Sequence, residues 1–138
     1  MTQKTYSLEK QIGFLLRRAT QRHLSIFGAH IAELTPTQFA AIAKLASMGS
    51  VSQNELGRET AMDGATIKGV IDRLSARGLV VTRPDDTDKR RLLVALSDDG
   101  QSLWDIALKQ GHRITEETLE PLRDDEREQF LKLLEKIT

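Results

Sequence analysis

A chain of 138 residues, 39% of them hydrophobic, has room for one domain, or one lobe with a helical extension, around a modest core. It contains no cysteine, which excludes disulfides, Cys-ligated zinc and thiol redox sensing. No apolar run approaches the roughly 20 residues that span a bilayer and no signal-peptide h-region is present, so a soluble, cytoplasmic protein is expected. Basic and acidic side chains balance to zero net charge, but they are segregated. Residues 68–91 carry seven basic side chains against four acidic ones, and residues 97–138 carry eleven acidic against six basic. One stretch thus attracts phosphate and the other repels it.

The first expected element is a long helix from Ser7 to about Ile31. Leu8, Ile12, Leu15, Leu16, Ala19, Ile26 and Phe27 fall within one broad arc at about 100° per residue. Leu34-Thr35-Pro36-Thr37-Gln38-Phe39 then carries a complete helix start: Thr35 as cap, Pro36 at the first helical position, Gln38 closing a capping box, Leu34 and Phe39 as a hydrophobic staple. This helix is expected to reach Met48 and end at Gly49. The same grammar recurs with cap Ser52, box partner Glu55 and staple Val51–Leu56, and again, less completely, with Asp63 as cap. Three starts so close together leave short helices and tight turns, the tri-helical helix-turn-helix layout.

The third of these helices buries Ile67, Val70, Ile71 and Leu74 and stops at Gly78, a left-handed residue just past the helix. Leu79 to Arg83 is expected as a strand, Pro84 to Lys89 as a turn, and Leu92 to Leu96 as the returning strand. Ser97-Asp98-Asp99-Gly100 caps a long helix with Leu103, Ala107, Ile114 and Thr118 on one stripe. Pro121 interrupts it, and Asp124 opens a last helix carrying Phe130, Leu133, Leu134 and Ile137. The expected fold is mainly α with a small β-wing. Residues 35–96 form a winged helix-turn-helix lobe, and residues 1–34 and 97–138 form a helical region with enough spare apolar surface to dimerise.

Two constellations suit DNA. On the third short helix, the face opposite the apolar stripe offers Gly64, Ala65, Thr66, Lys68, Gly69 and Arg73. A major groove accepts one helix; Thr66 and Lys68 would reach bases or nearby phosphates, and Arg73 the backbone. In the hairpin, Asp88, Lys89, Arg90 and Arg91 sit on an extended ribbon whose reach suits the minor groove, with Asp88 orienting the Arg90 guanidinium. The bland alternatives are a solvated amphipathic helix and a turn charged for solubility. No nucleophile–base spacing, Gly-rich phosphate loop or paired-carboxylate site points to an enzyme.

The helix start at 34–39, Ser52-Gln53-Asn54-Glu55-Leu56-Gly57, Val70-Ile71-Asp72-Arg73-Leu74 with Arg77-Gly78-Leu79-Val80, the wing Asp85-Asp86-Thr87-Asp88-Lys89-Arg90-Arg91 and Leu96-Ser97-Asp98-Asp99-Gly100 together resemble the MarR family of bacterial transcription regulators. The resemblance covers nearly the whole chain. It implies a homodimer built from the terminal helices, two winged lobes on a pseudo-palindromic operator, and repression relieved by a small ligand, often an aromatic carboxylate. By position, it assigns Ser52 and Gln53 to phosphate, Thr66 and Lys68 to the major groove and Arg90 to the minor groove. The family pattern often has a hydroxyl residue at 65 and a large polar residue at 69; with Ala65 and Gly69, fewer base contacts are expected. Segments 11–19 and 61–72 are most similar to the subgroup that represses nicotinate catabolism, which responds to a hydroxylated nicotinate.

His23 and His30, seven residues apart on the first helix, fall inside the apolar arc. Each either satisfies an ordinary hydrogen-bond partner or helps line a pocket between the dimerisation helices and the winged lobe. In the second reading His23 hydrogen-bonds an aromatic ligand and Arg18 pairs with its carboxylate. Metal sensing is a third reading, weakened by the remoteness of His112 and the lack of Cys. The expected protein is therefore a ligand-responsive DNA-binding repressor that needs no cofactor beyond a small effector. A winged-helix interaction module without DNA binding, or a metal-responsive regulator, is the competing expectation.

Overall fold

The computed structural model describes residues 5–138. Among these residues the helices are α1 (Ile12–His30), α2 (Pro36–Met48), α3 (Gln53–Glu59), α4 (Gly64–Ala76), α5 (Asp98–Thr118) and α6 (Asp124–Lys136). The strands are β1 (Val51–Ser52), β2 (Val80–Pro84) and β3 (Leu92–Leu96). The chain forms two compact units, one of residues Ile31–Gly111 and one of the remaining residues at both ends. These boundaries lie elsewhere than the 34/35 and 96/97 divisions expected from sequence, because α5 keeps its first fourteen residues, through Gly111, in the winged unit.

Within the winged unit, local chemistry sets each helix start. The Thr35 hydroxyl accepts from the Gln38 amide at 3.2 Å while Gln38 Oε1 accepts from the Thr35 amide at 3.1 Å, so the expected capping box is complete. Thr35→Ala is expected to lower unfolding free energy by about 1 kcal/mol; a denaturant titration showing no loss would mean the cap is redundant. Asp63 caps α4 by accepting from the Thr66 amide at 2.7 Å. That bond, joined by the Thr66 side chain, holds the Asp63 carboxyl below its ordinary range.

At the other end of α4, Gly78 adopts φ +73°. The Gly78 amide donates to Ser75 O at 2.9 Å and the Leu79 amide to Leu74 O at 3.0 Å, the paired bonds of a Schellman stop. A side chain at Gly78 would have to enter the left-handed region, which favours glycine.

Two expectations need correction here. Ser52 caps α3 through a 3.2 Å bond from the Glu55 amide, but no reciprocal bond from the Ser52 amide to the Glu55 carboxylate appears among the described residues. Val51 and Ser52 instead form β1, pairing antiparallel with Val94 and Leu93 of β3. The wing hairpin is accordingly part of a three-stranded sheet ordered β1-β3-β2. Its first strand begins at Val80 and extends through Pro84, which pairs with Leu92. A terminal position tolerates proline because its missing N–H need not serve the ladder.

The core of this unit is Ile42 and Leu45 from α2, Leu56 from α3, Ile67, Ile71 and Leu74 from α4 and Val94 from β3, all fully buried. The start of α5 closes one side of it. Ser97 donates its hydroxyl to Gly78 O at 2.6 Å and its amide to Leu79 O at 3.1 Å, and its oxygen accepts from the Gly100 amide at 3.0 Å. A Cβ at Gly100 would overlap the Leu79 carbonyl, so only glycine fits there. Further along, the Trp104 ring tilts against Phe39 with centroids 5.5 Å apart. A Cβ at Gly111 would come within 2.8 Å of the Phe39 ring. These contacts are why the α5 start belongs with the lobe.

The terminal-helix unit is built from a 3-10 turn (Leu8–Lys10), α1, the end of α5, and α6. The single helix expected from Ser7 to Ile31 is instead broken at Gln11, whose backbone is extended (φ −85°, ψ 141°). The Gln11 side chain bonds the Ser7 carbonyl at 3.0 Å and stabilises the break. Phe27, Ile114 and Leu119 are buried. Arg22 donates to the carbonyls of Thr118 and Glu117, filling the acceptors that a helix end leaves open. Much of the rest is uncovered. Ile12, Leu15, Leu16 and Leu24 of α1 and Phe130, Leu131 and Leu133 of α6 are each at least 40% exposed. No described helix is long and apolar enough to cross a membrane.

Candidate nucleic-acid interface

Three elements of the winged unit converge on one polar basin of about 550 Å³. The start of α3 supplies Ser52, Gln53 and Asn54 and its last turn Arg58, α4 supplies Lys68, and the end of the wing supplies Arg90, Arg91 and Leu92. Of the residues expected to meet DNA, the structure thus gathers Ser52, Gln53, Lys68, Arg90 and Arg91. Asn54 and Arg58 are additional. Both are exposed and stand four residues apart on α3, hence on one helical face; that spacing was the available signal. Four cations around one concavity focus a positive potential suited to a phosphate backbone.

The wing tip is ordered by two short acidic turns. Asp85 Oδ1 accepts from the Thr87 amide at 3.0 Å and from the Thr87 hydroxyl at 2.9 Å. These bonds, helped by Arg91 and Arg83, hold the Asp85 carboxyl below its ordinary range. Asp88 Oδ1 accepts from both the Arg90 amide (3.1 Å) and Arg90 Nε (3.2 Å). The expected Asp88–Arg90 contact is therefore present. Because it engages Nε, both terminal nitrogens of the guanidinium stay available, and the Arg90 side chain is 92% exposed. The loop is closed by the Asp85 amide on Arg91 O and the Arg91 amide on Asp88 O, each at 2.9 Å. Lys89 is exposed on the same tip.

Thr66 and Arg73 do not line the basin. With about 100° per residue, the buried side of α4 leaves Ala65 and Gly69 at the middle of its exposed face. Lys68 and Asp72 lie on one flank and are joined by a 2.8 Å ion pair. Thr66 and Arg73 lie on the other flank, both exposed.

The expected effector residues are dispersed. His23 lines a cavity of about 320 Å³ within the terminal-helix unit, with apolar walls from Leu16, Leu119, Phe130 and Leu134 and polar points at Thr20, Thr115 and Thr118. Its Nδ1 is 3.0 Å from the Thr118 hydroxyl. His30 instead pairs with Glu117 at 2.5 Å. Arg18 lies outside the cavity lining, its guanidinium 5.9 Å from the Phe14 ring centroid. Among the described residues, no group of three or more His, Cys, Asp or Glu side chains is placed to hold a metal ion.

Three short helices, a hairpin with an arginine presented at its tip, and a cationic basin at their junction define a winged helix-turn-helix regulator. Residues 32–91 match the profile of the MarR family. Over 134 residues the chain is 40% identical to the HTH-type transcriptional repressor NicR of Pseudomonas putida, covering 96% of this chain and 85% of NicR. Its fold is similar to that of a probable transcriptional regulator from Pseudomonas aeruginosa, at 44% identity and a TM-score of 0.92, over 96% of this chain and 100% of that one. It is also similar to Bordetella bronchiseptica BpsR, whose DNA binding is regulated by 6-hydroxynicotinic acid, at 38% identity and a TM-score of 0.93 over 97% of both chains. The chain belongs to the MarR family of transcriptional regulators, in the branch of NicR and BpsR, and is not an enzyme.

Proposed function

We propose that this protein is a homodimeric repressor that binds a pseudo-palindromic DNA operator and releases it on binding a small aromatic carboxylate of the hydroxynicotinate class. The observation that carries the DNA half is the convergence of Arg58, Lys68, Arg90 and Arg91 on one basin beside the exposed face of α4. The uncovered apolar faces of α1 and α6 support the dimer: exposed patches of this kind on a small chain need a partner. NicR, by name a repressor, and BpsR, regulated by 6-hydroxynicotinic acid, support the effector half. So does the largely apolar cavity with its imidazole and threonine hydroxyls, a lining that suits a planar ring bearing a few polar groups. Of Arg18, His23 and His30, His23 is the one that lines this cavity, which supports it as the ligand contact. The ligand acts by shifting the dimer population toward a spacing that no longer fits half-sites about one helical turn apart.

Duplex binding measured across a salt series, with and without 6-hydroxynicotinic acid, tests both halves. Affinity is expected to fall steeply with salt, and the acid to weaken binding and raise the melting temperature. His23→Ala is expected to lose most of the acid's effect while binding DNA as before, with Arg18→Ala and His30→Ala as comparisons. Absence of duplex binding at low salt would favour an interaction module instead. DNA binding indifferent to the acid, with no thermal shift, would remove the effector class.

A further inference from the structure

The middle of the exposed face of α4 has no reading side chain of its own, since Ala65 and Gly69 occupy it. It is nevertheless not empty. A Cβ placed on Gly69 would lie 3.2 Å from Arg73 Nη1, 3.9 Å from Cζ and 4.0 Å from Nη2. The terminal part of the Arg73 guanidinium is therefore folded back one turn into the space over Gly69. Side chains on a helix lean toward its N-terminus, so a long residue covers the position four before it. With glycine at 69 the guanidinium can settle against the helix, whereas a Cβ there would have to push it outward by a few tenths of an ångström.

We propose that Gly69 is a seat that delivers the Arg73 guanidinium to the centre of the groove-facing surface of α4, where it reads a guanine edge rather than holding a phosphate. This rests on the DNA-binding reading above. The sequence alone placed Arg73 toward the backbone, from its position on the flank of the helix. The observed placement moves its charge to where a residue at 69 would otherwise have projected. Lys68 is the competing cation on this helix, but its ammonium is paired with Asp72 at 2.8 Å. Arg73 has no acidic partner among the described residues. A planar guanidinium with no acidic partner matches guanine O6 and N7, the commonest base-specific contact in a major groove.

The test is selection of a randomised duplex library by the full-length protein, followed by affinity measurements on single-position variants of the selected site. The expected wild-type result is one G·C pair per half-site whose replacement lowers affinity about tenfold or more. Arg73→Gln is expected to flatten or switch the preference at that pair alone, leaving the other positions unchanged. Gly69→Ala, which improves helix propensity but intrudes on the seat, is expected to reduce the same preference severalfold without lowering the melting temperature. A uniform loss of affinity in Arg73→Gln, with every base preference kept, would make Arg73 a phosphate contact and overturn the inference. An unaltered profile in Gly69→Ala would overturn the seat. If the wild type itself binds no duplex at low salt, the repressor reading fails first and takes this one with it.

Discussion

Arg90→Ala is expected to weaken operator binding by about 1–3 kcal/mol per half-site, roughly 5- to 150-fold, and to lower the salt slope by about one per protomer. Stability should be unchanged within about 0.5 kcal/mol. This separation follows from the wing's construction. The side chain is 92% exposed and, among the described residues, pairs with Asp88 alone. Asp88 keeps the Arg90 amide, a bond that survives truncation of the side chain. The turn should therefore keep its shape while losing the cation it presents. A titration at two or more salt concentrations, paired with a thermal melt, checks both parts. Full affinity in the variant would remove the wing from the interface, and a lowered melting temperature would show that Arg90 also holds the turn.

Leu74→Ala should have the largest effect on folding, about 2–5 kcal/mol, against a total that for domains of this kind is about 5–15 kcal/mol. Leu74 is fully buried on the inner side of α4. Its carbonyl also receives the Leu79 amide at the Schellman stop. Removing its side chain opens a cavity beside Ile67 and Ile71 on the same helix face, so the helix that presents Arg73 loses its seating. The midpoint of chemical denaturation measures this directly. A loss below about 1 kcal/mol would mean that the lobe collapses onto the vacated space.

Features that depend on residues three or four apart were legible in the sequence. The Thr35–Gln38 box, the Asp63 cap, the Gly78 stop and the Asp88–Arg90 turn each encode their partner within a few positions, and each is present. In the stripe Leu103, Ala107, Ile114 and Thr118, Ala107 and Ile114 are buried and Leu103 and Thr118 half-buried. What was hidden depends on distant pairing. A two-residue strand has no periodicity, so Val51 and Ser52 looked only like a staple and a cap until Leu93 and Val94 came alongside. The spacing of Asn54 and Arg58 puts them on one face of α3, but that this face borders the basin depends on α3, α4 and the wing meeting there. The effector residues were the least legible. Arg18 lies over the Phe14 ring one turn back on its own helix, a spacing the sequence did contain, whereas the carboxylate beside His30 comes from Glu117, far along the chain.

The close fit at Gly100 carries a mechanical consequence. Ser97 is bonded to Gly78 and Leu79, and the backbone at Gly100 lies so near the Leu79 carbonyl that no side chain could enter. These contacts tie the first turn of α5 to the base of β2. A rotation of that turn is therefore expected to reach the five paired residues of the hairpin and the arginine beyond them, with the wing as a lever arm pivoting at Ser97 and Gly100.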